Sequence, residues 1–139
     1  MIKKIKYAIA CLGLLSMIGI YGCDKEMIFD DTFDYYMVEV ENIAFQETIF
    51  AGQEFNVSFF GTIGNNGCHS FSHFAVIQNE QGVEIEVWGK IPKDADICTQ
   101  NIVSLDNTIK KLTFENAGDY ILKIKQPNGS YLEHQIIVF

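Results

Sequence analysis

From Tyr35 to the C-terminus, apolar side chains recur at every second position in short runs, and no stretch sustains a helical period. A chain patterned this way buries one face of each run by packing sheet against sheet. Tyr35 to Glu41 sets Tyr36, Val38 and Val40 against Glu39 and Glu41. Glu54 to Phe60 sets Phe55, Val57 and Phe59 against Glu54, Asn56 and Ser58. Val83 to Trp88 sets Val83, Ile85 and Val87 against Glu84 and Glu86. Asp119 to Lys125 sets Tyr120, Leu122 and Ile124 against Lys123 and Lys125. Phe71 to Gln78 is a strand of undecided facing, because both parities are partly apolar. Asn107 to Phe114 and Tyr131 to Phe139 complete the set. Turns are read at 51–53, 79–82 and 126–130, a glycine-rich loop at 61–67, and one long irregular stretch at 89–106. Seven strands over about 105 residues predict an all-β fold, an antiparallel β-sandwich occupying 35–139.

One local motif narrows the architecture. Asn116-Ala117-Gly118-Asp119-Tyr120 opens the sixth expected strand. It resembles the tyrosine corner of immunoglobulin-like domains, in which a Tyr near that strand's start bonds its hydroxyl back to the backbone. Leu122 stands where an antibody domain carries its second inter-sheet cysteine, and Phe55, Val57 and Phe59 supply no partner. The resemblance is therefore to disulfide-free immunoglobulin-like sandwiches of bacterial surface proteins. Gly67-Cys68, Val83 to Gly89, Cys98-Thr99-Gln100 and Gly118-Asp119-Tyr120 together look like small lipoproteins of Bacteroidetes. That family implies a fold and a location but no activity.

The N-terminus reads as an address. Lys3, Lys4 and Lys6 precede an apolar run from Tyr7 to Ile20, a basic region and hydrophobic region of signal-peptide length, expected to be helical. The run is short for a mature membrane span. Ile20-Tyr21-Gly22-Cys23 resembles the lipobox of bacterial lipoproteins, with Tyr21 departing from the usual small residue. The resemblance implies cleavage before Cys23 and a diacylglycerol on its sulfur. Residues 1–22 are then the signal peptide and 23–34 an acidic tether, about 35 Å long if fully extended. The tether's acids resemble surface-export tags, and Asp24 also resembles an inner-membrane retention signal. An outer-membrane anchor is expected, with the face of the envelope left open. Without residues 1–22 the chain keeps seven Lys against 18 acids, a net charge of −11. All ten basic residues of the full chain are Lys. With no arginine fork and no basic footprint, nucleic acid is not an expected partner.

Two cysteines, Cys68 and Cys98, are left over in an exported domain, and a disulfide between them is expected. It would pin the 89–106 stretch. The alternatives are a zinc set with His69 and His73, or a Cys–His nucleophile pair. Zinc is opposed by strand geometry, which puts those histidines about 13 Å apart. A nucleophile needs a free thiolate. His134, alternating with Leu132 and Ile136, reads as a core or edge residue. Asp30, Asp31, Asp34, Asp94 and Asp96 lack calcium-loop spacing and read as solvated acids. No metal or cofactor is expected.

Glu84 and Glu86 share an outward face with Trp88, an arrangement suited to stacking on a sugar ring and accepting hydroxyl protons. No nucleophile, base and orienter stand together in the sequence, so an enzyme is not expected. The expected function is a lipid-anchored envelope binding or structural module that presents loops 61–70, 89–106 and 126–130 to a protein or glycan ligand. The alternative is an inhibitor or immunity lipoprotein that blocks a protease or wall hydrolase with the same loops.

Overall fold

The computed structural model describes residues 29–139, so the signal peptide, Cys11, Cys23 and the first half of the tether lie outside the described residues. Eight strands form: β1 (Phe33–Met37), β2 (Asn42–Phe45), β3 (Glu54–Gly64), β4 (Ser70–Asn79), β5 (Gly82–Pro92), β6 (Val103–Thr113), β7 (Gly118–Lys125) and β8 (Tyr131–Val138). There is no helix among the described residues. A five-stranded sheet holds β1, β4, β5, β7 and β8, and a three-stranded sheet holds β2, β3 and β6. The alternating apolar residues meet between them. Val57, Phe59, Ile85, Val87, Leu122 and Ile124 are wholly buried, joined by Val38, Val40, Phe55, Val83, Leu112 and Phe114.

Several expectations need correction. There is an eighth strand, β2, which the pattern did not reveal. Its four residues pair Asn42–Phe45 with Val57–Phe60 and bury Ile43, too short a run for alternation to stand out. The glycine-rich segment 61–67 is not all loop, because β3 continues to Gly64 through two register shifts against β6. Gly61 serves close approach. A Cβ there would sit 2.6 Å from the Glu39 carbonyl oxygen, where the β1–β2 link crosses β3. The 89–106 stretch shrinks likewise, since β5 runs to Pro92 and β6 begins at Val103. The tether is also shorter than expected. Asp30 Oδ1 accepts from the Thr32 amide (3.0 Å) and hydroxyl (2.8 Å), turning the chain into β1 two residues before Tyr35.

The sheets are not purely antiparallel. β5 and β7 pair in parallel, Gly82–Ile85 against Ile121–Ile124. The reason is parity: after β5 the chain crosses to the other sheet, returns as β6, and starts β7 at the end where β5 started. The crossover that parallel strands require is supplied by β6.

β7 covers only the first part of that edge of β5. β1 takes the rest, pairing Phe33–Met37 antiparallel with Pro92–Trp88. The chain beyond β1 passes the end of β7, where Gln126 is buried. Its Oε1 accepts the Val40 amide at 3.0 Å and its Nε2 donates to the Val40 carbonyl at 3.2 Å. A side-chain amide thus stands in for a missing strand partner. The 126–130 turn abuts this junction, so β1 separates it from the end where Cys68 and Cys98 lie.

Candidate functional site

A sheet face turned to solvent in a two-layer sandwich is expected to be polar. The outer face of the five-stranded sheet is polar only in part. On β5 the inward parity (Val83, Ile85, Val87) leaves Glu84, Glu86, Trp88 and Lys90 outward. On β1, inward Tyr36 leaves Phe33 and Tyr35 outward. On β4 a register shift between Phe71 and His73 changes the parity. Phe71 and Phe74 both pack against the core, and His73 is delivered to the outer face. The bulge explains why both parities of this strand read as partly apolar.

The result is a contiguous aromatic patch. The His73 ring lies parallel to the Trp88 ring, with centroids 6.1 Å apart. Phe29 stands edge-on to Tyr35 at 5.0 Å and to His73 at 5.8 Å. Phe33 lies 6.5 Å from Tyr35, with the Lys90 ammonium 4.3 Å from its centroid. The Asp30 turn brings Phe29 here, and the Asp30 amide donates to the Tyr35 hydroxyl at 3.1 Å.

Glu86 lies beside the patch. Its Oε1 accepts from Lys125 Nζ at 2.9 Å and its Oε2 from the Trp88 indole at 3.0 Å. Lys125, and secondarily Trp88, hold this carboxyl below the usual 4.5. Glu84 faces Lys123 across the β5–β7 pairing. The two glutamates are a lysine-matched row rather than an acid and base across a cleft.

Burial against the patch holds His73 below the usual 6.5, with Glu86 pulling weakly the other way. The fold therefore favours neutral imidazole. Its contribution to stability is complete above pH 6.5 and is lost as pH falls through the lowered value. Trp88 is the single Trp and reports this directly. Its emission is expected to be flat above pH 6.5 and to drop below it as imidazolium forms against the indole. His73→Gln should remove the step, and a step that persists in that variant would show another group to be responsible.

The other expected site residues divide between two places. Cys68 and Cys98 are bonded, Cα atoms 5.3 Å apart, so both thiols are committed to each other. The Gly67 amide donates to the Thr99 carbonyl at 2.8 Å beside them. Among the residues of loop 93–102, Ile97 is 94% exposed and Ile102 70%. His69 joins this end without joining His73. The Tyr36 hydroxyl donates to the Ile63 carbonyl at 2.9 Å and lies 2.6 Å from His69 Nδ1. A hydroxyl has one proton to give, so His69 Nδ1 carries its own and donates to the Tyr36 oxygen. His134 stands edge-on to Phe45 at 6.0 Å, joining the margins of the two sheets. Tyr120 donates its hydroxyl to the Asn116 carbonyl at 2.9 Å, the bond its motif implied.

At the opposite end a shallow groove of about 510 Å³ is lined by Glu80, Asp119, Tyr120, Ile121, Glu133 and His134. It shares no residue with the aromatic patch. Sequence reading found Trp88, Glu84 and Glu86, weighed His73 only beside the cysteines, and missed Phe29, Phe33, Tyr35 and Lys125. The missed signal was available on β1, where Phe33, Tyr35 and Met37 oppose Tyr36 and Val38, making both parities apolar.

A family model described as the ORF11 beta-sandwich domain matches residues 61–138, more than half of the chain. The match takes in the end of β3 and all of β4 to β8, including both cysteines, His73, Trp88 and Glu86. No curated protein and no solved structure matches the chain.

Proposed function

The chain belongs to the ORF11 beta-sandwich domain family, and from that premise we propose that it is a lipid-anchored binding module of the cell envelope whose ligand is a glycan. The signal-like residues 1–22 and Cys23 support the anchor, and the acyl chains on Cys23 give it stable membrane attachment. The observation that carries the binding role is the aromatic patch on the outer sheet face. Exposed apolar patches rimmed by polar groups mark interaction surfaces. Rings of Trp88, Tyr35 and Phe29 offer faces and edges for a sugar, while Glu86 and Lys125 offer an acceptor and a donor. This reading puts the ligand surface on β1, β4 and β5, with Phe29 folded onto them, rather than on the three loops.

We read the sandwich as immunoglobulin-like. The Tyr120–Asn116 corner bond supports this. The departure is β7, which lies parallel to β5, whereas an immunoglobulin domain sets the corresponding strand beside the one equivalent to β4.

The binding role is tested by titrating the protein with neutral oligosaccharides of the chitin and cellulose series while following Trp88 emission. Trp88→Ala, followed by calorimetry, is expected to weaken binding about tenfold, and Trp88→Phe by less. Failure of every sugar to change the emission, or equal binding by the Ala variant, would remove the glycan reading.

A second reading draws on Ile97, bare and next to a bridged cysteine. An inhibitor loop for a protease or wall hydrolase has that form. It requires a stoichiometric complex that Ile97→Asp abolishes and Trp88→Ala leaves intact.

A further inference from the structure

We propose that the free edge of β8, from Tyr131 to Gln135, is a docking site for an extended, basic segment of another protein, which joins the five-stranded sheet as a further strand. The site shares no residue with the aromatic patch, and it stands whether or not that patch takes a glycan.

The first observation is a row of backbone groups with no strand beside them. β8 ends the five-stranded sheet, with β7 on its inner side. At the hairpin the Gln126 amide donates to the Ser130 carbonyl at 2.8 Å, which turns the even-numbered residues of β8 toward β7. At the other end the Phe139 amide donates to the Ile49 carbonyl at 2.9 Å, on the side away from β7. Both ends give the same alternation. The amides and carbonyls of Tyr131, Glu133 and Gln135 therefore point out from the sheet edge, and the chain at Ile49 covers only the end beyond them. Such edges are usually blunted by lysine, proline or a bulge. From Tyr131 to Gln135 there is none of these, and β8 pairs with β7 without a register shift.

The second observation is that a groove lies to either side of this edge, and Gln135 lines both. One is the groove of about 510 Å³ described above. Buried Leu122 and Ile136 fix the inward parity of β7 and β8, so Ile121 and Glu133 face outward and this groove opens on the outer sheet face. The other, of about 410 Å³, is lined by Phe45, Glu47, Ile49, Ile137 and Phe139 among others. Phe45 belongs to the three-stranded sheet, so this groove opens where the margins of the two sheets meet. A strand laid along the edge sends alternate side chains to opposite faces. One set meets the first groove and the other set the second. Backbone bonds then supply affinity and the grooves select side chains.

The third observation is charge, and it names the occupant. The outer groove carries Glu80, Asp119 and Glu133. Lys123 pairs with Glu133 at 3.2 Å, and no lysine lines the groove. The second groove is largely apolar, with exposed Ile137 and Phe139 at its mouth. A strand with lysine or arginine on its outer side and aliphatic residues on its inner side matches both. A second copy of this chain does not. Antiparallel pairing about the middle of the edge would set Glu133 opposite its own counterpart, between two molecules of net charge −8.

The test titrates the full chain with an end-blocked peptide of alternating lysine and valine, followed by calorimetry and by hydrogen exchange. At saturation the amides of Tyr131, Glu133 and Gln135 are expected to gain about tenfold in protection, while those of Leu132 and His134, already turned to β7, change little. Methylating one alternate set of peptide nitrogens, the lysines for an antiparallel strand, should weaken binding about tenfold, and methylating the other set should not. Replacing the lysines by glutamate should also weaken it about tenfold. Glu80→Gln combined with Asp119→Asn, both at the surface, should weaken the lysine peptide and spare the glutamate one. Absence of protection at millimolar lysine peptide overturns the proposal. Equal binding by the lysine and glutamate peptides, or by both methylated series, overturns it too. Protection of the same three amides that rises with protein concentration in the absence of peptide assigns the edge to a second copy and overturns it as well.

Discussion

A chain in which Cys68 and Cys98 are both replaced by Ala is expected to unfold with about 3.5 kcal/mol less stability than the oxidised protein. The bridge spans a sequence separation of 30 residues, and in the chain-entropy account a loop of that length restricts the unfolded ensemble by about this much. Its position adds to its importance. Cys68 lies in the connection that carries the chain from β3 in one sheet to β4 in the other. Cys98 lies in the connection that carries it back from β5 to β6. The bridge therefore ties together two crossings between layers. Urea denaturation of the oxidised, reduced and double-Ala proteins measures the effect. The reduced protein should match the variant, and trypsin should cut at Lys93 faster in both. Equal urea midpoints in all three would show that the bridge does not restrain the unfolded chain.

Gln126→Leu is expected to cost about 3 kcal/mol, although Leu is close to Gln in size. The reason lies across the sandwich in sequence, at Val40. Its amide and carbonyl are buried and bond to the Gln126 side chain. Leucine would leave both without a partner, and an orphaned buried backbone group costs about 1–3 kcal/mol. Gln126→Glu at neutral pH should cost at least as much, because a buried carboxylate keeps the bond from the Val40 amide but sets its charge against the Val40 carbonyl oxygen. Hydrogen exchange at the Val40 amide is the specific readout. Unchanged protection of that amide in the Leu variant would mean the backbone finds another partner.

Gln126 also shows where sequence reading reaches its limit. Alternation determines which residues of a strand face inward, and it did so for β3, β5 and β7, down to Val57, Ile85 and Leu122. It carries no information about which strand lies beside which. The parallel pairing of β5 with β7, and the division of one β5 edge between β7 and β1, depend on where the chain crosses between sheets. Gln126 read as a turn residue because its role exists only once that edge is shared.

The candidate surface was half legible for a related reason. Trp88, Glu84 and Glu86 follow from a strand whose parity is regular. His73 follows from a strand whose parity changes at a bulge, and no residue type marks that change. Phe29 belonged to a segment read as tether, and only the Asp30 turn folds it onto the sheet. Glycines misled in the opposite direction. Gly61 and Gly64 read as loop, yet Gly61 lets one backbone cross close over another within a continuous strand. The bond from Tyr120 to Asn116 is the opposite case, since its two partners lie only four residues apart in one local motif.

The sharing of β5 by β1 and β7 has a mechanical consequence. A pull on the chain ahead of Phe29 passes into β1 at Phe33. It runs along the strand axis against the antiparallel neighbour Trp88–Pro92. The load is shear, resisted by several hydrogen bonds at once rather than one after another. β5 also carries Trp88 on its outer face, so a force applied between the residues ahead of β1 and anything gripped there crosses a single strand pair. The buried layer formed by Val57, Phe59 and Leu122 lies off that force path and can stay packed under the load.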